Sequence, residues 1–125
     1  MVPYKFCLLI DDNYIDNFVT SRILETAHFA EKIVVFQSAG EAIEALRSTE
    51  IKPDVIFLDI RMPLMSGFEF LQEYDKLEID KNDIKIFMLS SSLDPNDLRR
   101  SSNNKYITQF IHKPLTFQVL EELSA

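Results

Sequence analysis

Val55, Ile56, Phe57 and Leu58 form a run without a polar member, closed by Asp54 on one side and Asp59 on the other. A strand that does not alternate polar with apolar residues is covered on both faces, which requires a sheet held between two layers of helix. The run stops at the carboxylate of Asp59. Turn chemistry follows in Met62-Pro63-Leu64-Met65-Ser66-Gly67, and apolar residues then return at helical spacing at Phe68, Leu71 and Tyr74, predicting a helix over residues 68–77. Asp59 is thereby placed at the carboxyl end of a central strand, where open α/β sheets hold their ligands.

The same strand-then-helix unit recurs along the chain. Residues 6–10 predict a first strand ending at Asp11-Asp12-Asn13, and Ile15, Phe18, Val19 and Ile23 mark one face of a helix reaching about Thr26. A second strand is expected over residues 33–36. Ser38, with Glu41 three residues on, spells a capping box for a helix over 39–47 with Ala42, Ile43 and Leu46 inward. After a polar loop at 78–83, residues 84–89 give a fourth strand ending in Ser90-Ser91-Ser92. Asp94 as N-cap and Pro95 at the first helical position open a short helix through Arg100. Residues 106–111 predict a fifth strand ending at His112-Lys113-Pro114, and 117–123 a last helix with Phe117, Leu120 and Leu123 toward the sheet. Five strands alternating with five helices give a parallel sheet covered on both faces, because right-handed crossovers lay each helix against the sheet.

The chain of 125 residues reads as one domain, 1–125, with 46% hydrophobic residues. Its net charge of −7 and lack of clustered Lys and Arg argue against a nucleic-acid-binding surface. Cys7, the one cysteine, lies inside the first apolar run; it reads as a buried structural thiol and fits a reducing cytoplasm. No apolar stretch approaches the ~20 residues of a membrane span and no signal peptide opens the chain, so a soluble, cytoplasmic protein without a membrane partner is expected. With only Gly40 and Gly67, neither a P-loop nor a G-x-G-x-x-G fingerprint is available for a nucleotide. His28 and His112 lack metal-ligand spacing, and Met62, Met65 and Met88 read as packing residues.

The strand ends bring Asp11, Asp12, Asp59, Ser90 and Lys113 to one edge of one sheet. Three carboxylates gathered there repel one another, so either their pKa values rise or a cation is bound, and hard oxygen ligands favour Mg²⁺. A lysine and a hydroxyl facing that cation supply a second positive charge and a donor for the oxygens of a transferred phosphoryl group. One carboxylate must then accept the phosphoryl group, and Asp59, ending the central strand between the acidic pair and Ser90 with Lys113, is the best placed.

These residues in this order, with the DIRMPLMSG stretch after the third strand and Lys-Pro after the fifth, closely resemble the receiver domain of two-component response regulators, of the stand-alone, chemotaxis-receiver kind. The resemblance covers essentially the whole chain. It implies a flavodoxin-like doubly wound sheet of strand order 2-1-3-4-5. It implies that Asp59 takes a phosphoryl group from the phosphohistidine of a sensor histidine kinase or histidine phosphotransfer protein. Asp12, Asp59 and the backbone carbonyl of Arg61 would ligate Mg²⁺ directly and Asp11 through water, while Ser90 and Lys113 would bind the phosphoryl oxygens. Phe110 would be the aromatic whose rotamer follows phosphorylation, and the Lys113-Pro114 bond would be cis. A downstream protein partner would read the face of helix 4, strand 5 and helix 5. With the chain closing on its last helix, output is expected through protein contact or onward phosphotransfer, and the protein is expected to be a phosphoacceptor that promotes its own Mg²⁺-dependent phosphorylation and dephosphorylation, not an enzyme.

Two departures stand out: Ser90 replaces the commoner threonine, and Ser101-Ser102-Asn103-Asn104 replaces the glycine common before strand five. The rival readings are a pseudo-receiver that binds partners unphosphorylated and an aspartyl-phosphate-forming hydrolase of the haloacid dehalogenase type. The hydrolase wants a second carboxylate two residues after the nucleophile, where Arg61 stands.

Overall fold

The structure, a computed structural model, describes residues 2–124. Among them, five strands and five helices alternate: β1 (Tyr4–Ile10), α1 (Tyr14–Thr26), β2 (Ala30–Phe36), α2 (Ala39–Arg47), β3 (Val55–Leu58), α3 (Gly67–Asp75), β4 (Lys85–Ser90), α4 (Pro95–Asn103), β5 (Ile107–His112) and α5 (Phe117–Ser124). The strands pair in parallel in the order β2-β1-β3-β4-β5, as the flavodoxin-like reading requires.

β3 is buried at every position. Because side chains alternate across a strand, the central strands feed two separate cores. Leu8, Ile10, Ile56, Leu58, Ile86 and Met88 face α2 and α3, while Cys7, Leu9, Val55, Phe57, Phe87 and Leu89 face the side covered by Leu24 of α1 and by Leu120 and Leu123 of α5. Burial raises the Cys7 thiol pKa far above its usual value, so this thiol is inert packing. Met62 and Met65 pack half-buried against the α2–α3 core, and His28 and His112 are exposed. No helix among the described residues is long and apolar enough to cross a membrane.

Several local expectations are corrected. On α1 the buried residues are Asn17, Thr20 and Leu24, whereas Ile15 is 70% and Phe18 62% exposed and Val19 also faces outward. Of the four residues that mark the expected apolar face, only Ile23 packs against a core. Periodicity identifies an apolar stripe but not the side that is covered, and here the polar side is fastened inward by the Asn17 amide, which donates to the Asp11 carbonyl at 2.7 Å. Phe117 likewise is half-exposed at the start of α5, leaving Leu120 and Leu123 to face the sheet. At α2 the Ser38 hydroxyl accepts from the Glu41 N–H at 3.3 Å, but only α3 has a complete capping box, with Ser66 and Glu69 bonding each other's backbone N–H.

The remaining differences are of length. β1 and β2 begin earlier than expected, α3 stops at Asp75, Ser90 belongs to β4, and α4 runs one turn past Arg100. Asn104 ends α4, and its side chain accepts from the Tyr106 N–H at 3.0 Å. The Asn104 backbone is extended, so this bend closes on an asparagine turn and requires no left-handed residue.

Candidate functional site

The parallel register sets the strand ends beside one another: Ile10 pairs with Leu58, Leu58 with Met88, and Ser90 with His112. The next residues, Asp11, Asp59 and Lys113, leave the sheet on a single edge with Ser90. Carboxylate oxygens of Asp11, Asp12 and Asp59 lie within 4.8 Å of one another, with Asp11 and Asp59 buried and Asp12 exposed. An all-oxygen set with one member open to solvent suits a hard, partly hydrated cation such as Mg²⁺.

Asp11 is fastened at three points. Its Oδ1 accepts from the Asn13 N–H at 2.9 Å, its Oδ2 from the Lys113 ammonium at 2.6 Å, and its carbonyl from Asn17. The buried Oδ1 of Asn17 has no partner among the described residues. Asp59 Oδ1 accepts the Ile60 N–H at 2.9 Å and lies 3.8 Å from the Lys113 Nζ. Burial, then the neighbouring Asp11 carboxylate, push the Asp59 pKa up to about 7, against the opposing pull of Lys113 and the Ile60 N–H.

Lys113 is the one ammonium facing this cluster among the described residues. Burial alone would lower its pKa, but hydrogen bonds to Asp11 and Asp16 and the charges of Asp59 and Asp11 outweigh that and raise it. Its backbone N–H donates to the Ser90 carbonyl at 2.9 Å, which ties the loop after β5 to the end of β4. The Lys113-Pro114 bond is cis. Ser90 is buried, and its hydroxyl accepts the Ser92 N–H at 3.1 Å. Phe110 is half-buried on β5 opposite Met88 and packs against the α2–α3 core.

Arg61 follows Asp59 by two positions, and its side chain turns away from the carboxylates to the buried Asp97 of α4, with Nη2 2.6 Å from Oδ2. No carboxylate therefore occupies the place a dehalogenase-type hydrolase needs. Four residues of this region carried no sequence signal of a role. Asp16 holds Lys113 at 2.8 Å; Asn17 and Asp97 are single polar residues on helices, with nothing in their spacing to name a partner. Gly67 reads as a turn former, but its importance is one of space, since a Cβ there would come 2.3 Å from the Asp59 carbonyl oxygen.

Comparison with known proteins agrees with this geometry. Residues 7–124 match the response regulator receiver domain. A response regulator receiver protein from Dyadobacter fermentans is 36% identical, superimposes with a TM-score of 0.84, and shares 95% of this chain and 94% of its own. A two component response regulator from Cytophaga hutchinsonii is 32% identical with a TM-score of 0.87, over 96% and 93%. A probable methanogenesis regulatory protein of Methanothrix harundinacea is 29% identical over 91% of this chain and 75% of its own. The sheet order, the acidic edge and the match over nearly every residue lead to one conclusion: the chain belongs to the response regulator receiver family of two-component signalling.

Proposed function

We propose that the chain is a phosphoacceptor switch in which Asp59 takes the phosphoryl group. The observation that carries this reading is Lys113, held by Asp11 and Asp16 within 3.8 Å of Asp59, beside three clustered carboxylates. The ionised Asp59 oxygen attacks the phosphorus of a donor phosphohistidine in a sensor kinase or phosphotransfer protein. The P–N bond breaks, the imidazole leaves, and an acyl phosphate remains that carries about −1.5 to −2 charges where the carboxylate carried −1. Asp12, Asp59 and the Arg61 carbonyl, with Asp11 through water, would hold Mg²⁺, which would supply positive charge against the approaching phosphoryl group. Lys113 and Ser90 take the phosphoryl oxygens, the same groups favour hydrolysis by water, and Phe110 follows Ser90 inward.

Tyr14, Ile15 and Phe18, exposed at the amino-terminal end of α1 next to the acidic pair, offer the donor an apolar face beside Asp59. The output partner reads the face of α4, β5 and α5, and the setting is the cytoplasm, where kinase and acceptor meet.

The test is intact-protein mass after incubation with acetyl phosphate, with and without Mg²⁺, beside Asp59→Asn. Gain of one phosphoryl group only in the wild type with metal is expected. No gain in the folded wild type would return the pseudo-receiver reading.

A further inference from the structure

Asp97 is the buried carboxylate that the phosphoacceptor chemistry leaves unused. It stands in the first turn of α4, a helix that among the described residues buries only Asp97 and Ser101. Its Oδ2 accepts from Arg61 Nη2 at 2.6 Å and from the Ser92 hydroxyl at 2.5 Å, and its carbonyl accepts from the Ser101 hydroxyl at 2.9 Å. The Ser92 N–H in turn holds the Ser90 hydroxyl at 3.1 Å. One carboxylate on α4 is thus linked to both loops that flank Asp59: through Arg61 to the segment two residues after the acceptor, and through Ser92 to Ser90. Asp94 adds a longer contact to Arg61 at 3.8 Å.

These contacts cross an open groove of about 370 Å³ lined by Ile60, Arg61, Met62, Phe68, Asp97 and Arg100, so polar bridges and not interlocked apolar side chains fix α4 at this end. Arg100 bridges the same groove, its guanidinium 4.0 Å over the Phe68 ring.

We propose that Asp97 is a positioning residue, a latch that holds Arg61 and, through Ser92, the Ser90 hydroxyl in the arrangement of the unmodified acceptor. The inference rests on the phosphoacceptor reading of Asp59. The Ser92 N–H ties the Ser90 hydroxyl to the loop after β4, and any shift of that loop that carries Ser90 toward a phosphoryl oxygen works against the Ser92–Asp97–Arg61 contacts. The acceptor's occupancy and the seating of α4 are therefore alternatives. Binding at Asp59 loosens the latch, and loosening the latch favours binding, as linkage requires.

The test uses beryllofluoride with Mg²⁺ as the probe of the occupied acceptor, read by titration, and amide hydrogen exchange of residues 98–102 in metal-free protein. Asp97→Asn and Arg61→Gln each remove the ion pair, and each is expected to bind beryllofluoride roughly three- to tenfold more tightly than wild type, with faster exchange in α4. The double variant is expected to gain no more than Asp97→Asn alone, since Arg61 acts on the latch only through that carboxylate. Ser101→Ala, which removes the bond to the Asp97 carbonyl and leaves the carboxylate contacts to Arg61 and Ser92 in place, is expected to speed exchange and leave beryllofluoride affinity unchanged. Should Asp97→Asn fold poorly, Arg61→Gln carries the test, its side chain being largely exposed. The proposal is overturned if both variants exchange faster but bind beryllofluoride no more tightly than wild type. A wild type that binds none overturns the phosphoacceptor reading itself, while exchange in the variants still shows whether Arg61 and Asp97 hold α4.

Discussion

α3 and α4 have nine residues each and cover neighbouring strands, yet they are held by different physics. α3 buries Phe68, Phe70, Leu71 and Tyr74, a face that belongs to the core and has no other place to go. α4 buries a carboxylate and a hydroxyl, and its Leu98 is half-exposed. Apolar burial is worth ~25 cal/mol per Å² and depends little on geometry, whereas an ion pair with an exposed partner is weak, directional and easily exchanged. A helix held in the first way is scaffold. One held in the second way can respond to charge placed a few residues off, and α4 is linked by Arg61 and Ser92 to the loops after β3 and β4.

Substitutions on the two helices should separate these roles. Phe70→Ala empties a fully buried site and is expected to lower stability by about 3–5 kcal/mol in urea denaturation. A loss under ~1 kcal/mol would mean that α3 is not core. Gly67→Ala places a methyl group against the Asp59 carbonyl and is expected to cost on the order of 2 kcal/mol and to reduce phosphoryl uptake, measured by intact mass.

A third prediction concerns charge at the acceptor. The folded-state pKa of Asp59 is raised to about 7, so the metal-free protein loses stability as pH rises from the ordinary carboxylate range through that value. Asp59→Asn is then expected to raise the thermal midpoint above about pH 7 and to have little effect at low pH, where the native carboxyl is already neutral. Adding Mg²⁺ should recover the same stability in wild type and not in Asp59→Asn. Equal midpoints of the two proteins across the pH range would refute a buried Asp59 carboxylate whose ionisation burial and Asp11 oppose. The smallest effect belongs to α4: Leu98→Ala is expected to stay within about 0.5 kcal/mol of wild type, and a core-like loss would erase the contrast with α3.

How much of this was legible in the sequence follows the same division. Apolar runs name strands, and their order of appearance places Asp11, Asp12, Asp59, Ser90 and Lys113 on one edge, so the sheet, its layers and the acidic cluster could be read. α2 and α3 could be read too, because their apolar periodicity and their burial coincide. α1 could not. Its apolar stripe of Ile15, Phe18 and Val19 is the side turned outward, while the covered side carries Asn17, bonded to the Asp11 carbonyl, with Thr20 and Leu24. Asp16 and Asp97 were illegible for a related reason. An acid in the first turn of a helix is favourable wherever it occurs, and only the fold shows that one meets Lys113 and the other Arg61.

The measurement that bears most directly on this account is amide hydrogen exchange across α3 and α4 before and after acetyl phosphate and Mg²⁺, in wild type and in Asp59→Asn. Exchange in α4 is expected to change several-fold on phosphorylation and exchange in α3 to stay as it was, with neither helix responding in Asp59→Asn. Equal change in both helices, or a change in α4 that persists without Asp59, would contradict it.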